Sequence, residues 1–154
     1  MDGYCSDITR TYPVNSKFTQ RQRAVYEIVL RANKEVAAQA KPGMTTRELN
    51  DICKKVLAQG CVELGLIENE DQIGKYYMHG VSHHLGLDTH DCAVREDLGL
   101  RAGMVISDEP GLYIDEEEIG IRIEDDLLIT DEGCRVLSEA IPRTTEEIEA
   151  LMAR

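Results

Sequence analysis

Tryptophan is missing from this chain and phenylalanine occurs once, so any core must rest on aliphatic side chains and the six tyrosines. Positive charge is also scarce. Seventeen Lys and Arg stand against 29 Asp and Glu, a net charge of −12. Such a surface repels phosphate backbones, which argues against nucleic acid as a partner. No apolar run reaches transmembrane length and no signal peptide opens the chain, so no membrane partner is expected. The five cysteines are odd in number and scattered, with no C-x-x-C pair. That disfavours a disulfide framework or a thiolate zinc site and predicts a reducing, cytoplasmic setting. The G-x-S-x-G elbow, the H-E-x-x-H helix, the phosphate-binding loop and the dinucleotide fingerprint are all absent.

At 154 residues the chain is long enough for one cored domain and short for two, and it is read as a single unit over 1–154. D-I-T-R-T-Y-P-V alternates, which predicts a strand with Asp7, Thr9 and Thr11 on one side, ended by Pro13. Thr19 is a plausible cap for a helix whose stripe is Val25, Ile28, Val29, Ala32 and Val36. Thr45 with Glu48 forms a capping box for a second helix, with Gly60 as its expected end. From Leu98 onward the pattern turns to strands. It predicts a strand before Pro110, another after it, an acidic hairpin loop at Asp115–Glu118 and a strand through G-I-R-I-E-D-D-L-L-I-T. Asp131-Glu132-Gly133 reads as a turn, and Thr144 with Glu147 caps a last helix. Helices first and strands later predict an α+β fold, with helices covering one face of a curved, mainly antiparallel sheet.

All four histidines lie between His79 and His90, beside Asp88 and Asp91. A lone histidine is more often structural, but four in one run point to metal or acid–base chemistry. Glu109 directly precedes Pro110, which forces it toward extended geometry at a strand end. Alternation places Arg122, Glu124 and Asp126 on one face of their strand and Ile121 and Ile123 on the other. A metal-binding Glu124 beside Arg122 and an ordinary strand with an Arg-Glu neighbour pair both fit that segment. Three carboxylates and one imidazole together would make a hard, oxygen-rich site for a divalent cation.

Four segments taken together, G-Y-C-S-D-I-T-R-T-Y-P-V, M-H-G-V-S-H-H-L-G-L-D-T-H-D, G-M-V-I-S-D-E-P-G-L-Y-I and G-I-R-I-E-D-D-L-L-I-T, resemble the aminopeptidase P (Xaa-Pro aminopeptidase) family. The resemblance runs from about Gly3 to the end of the chain. It implies the pita-bread fold shared with prolidases and creatinases, and a peptide substrate with proline at its second position. It also implies two divalent metal ions, typically Mn2+. In the resemblance, Asp7 and Glu124 match carboxylates that bridge the metals, while His83 and Glu109 match ligands of one metal. His79 and His90 match histidines that contact the peptide, and Arg122 matches a residue that orients the ligands. The catalytic set it implies is therefore His79, His90, Glu109 and Arg122. Such a site would use metal-assisted hydrolysis, with Glu109 shuttling the proton. The alternatives are a prolidase acting on dipeptides and a pita-bread module that binds peptides without cleaving them.

The resemblance also calls for another metal-binding aspartate about one strand before Asp7. Asp2, an odd number of positions away, would face the wrong side of a continuous strand. The reading is therefore a C-terminal catalytic fragment without the amino-terminal domain, inactive or nearly so alone, with its second metal site impaired. Exposed sheet edge and apolar surface would favour self-association or a homo-oligomer.

Overall fold

The computed structural model describes residues 3–92 and 98–153. Asp2, considered above as a substitute ligand, lies outside them. The helices are α1 (Gln20–Gln39), α2 (Thr46–Glu63) and α3 (Thr145–Met152). The strands are β1 (Val105–Asp108), β2 (Gly111–Ile114), β3 (Ile119–Arg122), β4 (Asp125–Ile129) and β5 (Cys134–Val136). The architecture is α+β, with two small antiparallel sheets, β1-β4-β5 and β2-β3, where one curved sheet was expected. Among the described residues no helix is long and apolar enough to cross a membrane.

Each helix begins at a threonine whose hydroxyl accepts from the backbone N–H three residues on, with a Gln or Glu side chain returning the bond. These reciprocal bonds satisfy amides that a helix start would otherwise leave bare. The expected stripe of α1 is buried, as are Leu49, Cys53 and Leu57 of α2. They join Ile106, Leu112, Ile121, Ile123, Leu127 and Ile129 from the sheets in one core.

Gly60 does not end α2. The helix runs three residues past it, and Gly65, at φ 69°, follows the C-cap Leu64. Gly60 instead lets α1 come close, because a Cβ there would sit 2.5 Å from Ile28 Cγ2. Gly60→Ala is therefore expected to destabilise the chain by roughly 1–3 kcal/mol through overpacking, despite the ~1 kcal/mol gain in helix propensity. Urea unfolding measures it, and an unchanged midpoint would show that the helices part without cost.

The strand expected through G-I-R-I-E-D-D-L-L-I-T is divided between two sheets at Ile123-Glu124. Its partner is the reason. Asp108 faces Asp125 and Gly111 faces Arg122, so the register passes through the gap unbroken and sets Glu109 opposite Glu124. Ile123 N–H donates to Pro110 O, but Pro110 has no N–H to return, and the ladder fails there. The Asp7–Thr11 segment is likewise not a strand. One backbone bond, Glu124 N–H to Thr9 O, ties it to the β3–β4 gap. Side chains make the other links: Thr11 Oγ1 bonds both the N–H and the C=O of Arg122, and Asp7 N–H donates to Asp126 Oδ1.

Candidate metal centre

Three segments meet at the paired gaps. Residues 81–85 run antiparallel along β1, with Glu109 N–H donating to Val81 O, Ser107 N–H to His83 O and Leu85 N–H to Val105 O. That brings His83 over Glu109. The Asp7–Thr11 segment approaches from the side of Glu124. His83 Nε2 lies 3.5 Å from Asp7 Oδ2 and 3.5 Å from Glu109 Oε1. Two ligand groups, each with its donor atoms within 4.8 Å of one another, share this imidazole: His83, Glu109 and Glu124, and Asp7, His83 and His90.

Hydrogen bonds settle the tautomer of His83. Its Nδ1 is 3.2 Å from His84 O, and a carbonyl only accepts, so Nδ1 carries the proton. In the neutral ring the lone pair is then on Nε2, which is buried and has no hydrogen-bond partner. A lone pair aimed at two carboxylates repels them unless a cation or a proton lies between. A backbone-anchored Nδ1–H with a free Nε2 is the usual dress of a metal-binding histidine. The donor set therefore fits a divalent cation.

The carboxylates around it are held in different ways. Glu124 is 2% exposed. Burial raises its pKa, the neighbouring Glu109 and Asp7 charges add to that, and the Thr9 hydroxyl bond opposes it. Arg122 Nε donates to Thr9 Oγ1 at 3.1 Å and stands 3.9 Å from Glu124 Oε2, so arginine, threonine and glutamate form a short relay. Ser107 Oγ accepts from His83 N–H and donates to Glu109 Oε1 at 3.4 Å.

The other histidines are placed differently. His79 Nδ1 donates to Gly80 O at 2.8 Å, so its neutral Nε2 accepts from the Tyr113 hydroxyl at 2.9 Å. Both ring nitrogens are thus engaged. His90 is exposed and its ring centroid is 4.3 Å from that of His83. His84 bridges to Asp91 and to Ile106 and takes no place in either ligand group. Gly86 earns its place through Asp91, whose Oδ2 would lie 1.8 Å from a Cβ there. Gly80 has nothing within 4 Å of such a Cβ.

Sequence reasoning passed over Thr9, Ser107 and Tyr113. Thr9 was legible, being two positions from Asp7 on an alternating segment. Tyr113 carries no local signal, since its contact with His79 spans 34 residues.

Behind the site, Asp108 is fully buried, and Asn33 Nδ2 reaches both its C=O and its Oδ2 at 3.3 Å. Asp108 Oδ1 and Asn33 Oδ1 have no partner. Burial, with the Asp125 charge next, pushes the Asp108 pKa well up, and burial also raises Asp126. Between the ordinary and the raised values, native Asp108, Glu124 and Asp126 therefore bind more protons than the unfolded chain does. Stability of the metal-free chain should fall as pH rises from the ordinary carboxylate range near 4 through the raised native values. Urea unfolding in EDTA is expected to give a lower midpoint at pH 8 than at pH 5.5, with a flatter slope in Asp108→Asn. A midpoint that climbs over this range would contradict that assignment.

The profile of metallopeptidase family M24 matches residues 1–131. The Xaa-Pro aminopeptidase of Haemophilus influenzae is 41% identical, over 97% of this chain and 39% of its own. Intermediate cleaving peptidase 55 of Arabidopsis thaliana mitochondria is 39% identical, over 99% of this chain and 33% of its own. Among solved structures, a candidate aminopeptidase P of Bacillus anthracis superposes with a TM-score of 0.96 at 53% identity, covering 99% of this chain and 36% of that one. A glutamate-to-alanine variant of Escherichia coli aminopeptidase P in complex with substrate gives 0.91 at 40%, covering 98% and 38%. The chain thus spans 33–39% of the length of these relatives.

Proposed function

We propose, from the premise that this chain belongs to metallopeptidase family M24, that its residues form the metal-binding part of an Xaa-Pro aminopeptidase of pita-bread fold. The observation that carries the reading is the buried, unpartnered Nε2 of His83 facing Asp7 and Glu109. Similarity to named aminopeptidases supports the substrate class, a peptide with proline second.

Asp7, His83, Glu109 and Glu124 are the residues that would hold the metal. Three carboxylates and one imidazole suit Mn2+ better than a thiol-seeking ion. When bound, the metal supplies an acidified water and polarises the scissile carbonyl. The protein side chains do the rest. Glu109, fixed at a rigid strand end before Pro110, accepts a proton from the attacking water and returns it to the departing amine. The Arg122–Thr9 relay holds Glu124 in its ligand orientation. Tyr113 holds the ring of His79 at the rim, and a substrate carbonyl must displace one of its two bonds to be contacted by it. His90, with its exposed ring beside His83, is free to meet the substrate directly.

Calorimetric titration with Mn2+ tests the reading, alongside mass-spectrometric detection of the residue released from a proline-second peptide. Uptake of Mn2+ that disappears in His83→Ala is the expected result. A chain that takes up no Mn2+, or peptide cleavage that persists in EDTA, would refute it.

A further inference from the structure

The segment that presents Asp7 has one backbone bond to the β3–β4 gap and no ladder of its own. Side-chain bonds set its distance from Glu124, those of Thr9, Thr11 and Asp126 at single points and those of Arg10 across several. The Arg10 side chain is 3% exposed, and its guanidinium lies between the two segments. Nη1 donates to Thr9 O at 2.9 Å and to Glu124 O at 2.7 Å. Nη2 donates to Asp125 Oδ1 at 2.7 Å and reaches Ile141 O at 3.5 Å, while Nε donates to Pro142 O at 2.9 Å. Asp125, 1% exposed, is held in turn by Ser138 Oγ at 2.6 Å and Arg143 Nη1 at 3.0 Å.

We infer that Arg10 is a positioning residue for the metal centre, a planar clamp that joins the Asp7 segment, the Glu124 gap and the loop before α3 at one point. The inference rests on the proposed metal site and adds to it the part that sets its width. Five donors in a rigid plane can serve three segments at once. A lysine has the charge but not the fork, and it cannot reach the Thr9 and Glu124 carbonyls while also meeting Asp125. The bulk of a buried ion pair like this one contributes little net stability, whereas its geometry is specific.

Arg10→Lys in the full chain is the test, read by hydrogen exchange and by Mn2+ titration. Peptides over residues 3–12 and 119–130 are expected to exchange at least tenfold faster than in the wild type, with those over α1 and α2 unchanged. The Mn2+ dissociation constant is expected to rise at least tenfold. Unchanged exchange at both site peptides would overturn the inference, as would a uniform loss of protection across the chain, which marks a merely structural residue. If the wild type takes up no Mn2+, the metal reading fails by itself and the exchange pattern still decides the clamp. If Arg10→Lys does not fold, Arg10→Met with Asp125→Leu replaces both charges. Recovered folding with fast exchange confined to the two site peptides then supports the clamp, and wild-type exchange there refutes it.

Discussion

Mn2+ at about a hundredfold excess over its dissociation constant should raise the unfolding temperature of the wild-type chain by roughly 5–10 °C, from a stabilisation of about 2.7 kcal/mol. His83→Ala should abolish most of that shift. The reason is electrostatic. Glu109 and Glu124 stand opposite each other across the paired gaps, Asp7 lies 3.5 Å from the same imidazole, and the His83 lone pair points among them. Like charges facing each other across a strand pair are destabilising, and a bound cation reverses the sign. Removing the imidazole takes away a ligand and leaves the carboxylates farther from a common point, so affinity should fall by roughly two orders of magnitude, about 2.7 kcal/mol. Thermal melts followed by circular dichroism, in EDTA and in graded Mn2+, make the comparison. Equal shifts in the wild type and His83→Ala would mean that the ion binds elsewhere on the acidic surface.

Asp125→Ala should destabilise the chain by about 3–5 kcal/mol, the cost of leaving a buried partner charge without compensation. Arg10 would keep its charge at 3% exposure, with only carbonyls around it, and Ser138 and Arg143 would each lose a partner. Burial by itself would raise the Asp125 pKa, but bonds from Ser138 and Arg10 outweigh it and hold the group below the ordinary value. Its contribution is therefore complete above the ordinary carboxylate range and is lost only as pH falls through the lowered native value. Asp125→Ala should consequently be much less stable than wild type at pH 7, with the gap narrowing in strong acid. Urea unfolding across pH measures both, and a loss under 1 kcal/mol at pH 7 would show that the pair is readily hydrated. The contrast with Asp108, directly across the ladder, is instructive. Both are buried carboxylates, yet one has two arginines and the other an asparagine, and their pKa values move in opposite directions.

Much of this molecule can be read along the chain because the relevant forces act over a few residues. A threonine followed three positions later by Gln or Glu makes its own cap, an apolar stripe at helical spacing finds a core, and a glutamate before proline is extended wherever it lies. The metal-ligating types, and the turns and strand ends that carry them, belong to that local level. Convergence does not. Thr9 meets Glu124 across 115 positions, and no pattern near either announces the other. The break at Ile123-Glu124 comes from Pro110 on the opposite strand, so Glu124's own neighbours could not reveal it. Gly60 looked like a helix end until the Ile28 side chain was seen against it. The free nitrogen of His83 was decided by which carbonyl its other nitrogen found. Residue type and local geometry were determined by the sequence itself. Spacing, burial and protonation were decided by the tertiary structure, because each depends on groups that only folding brings within a few ångströms.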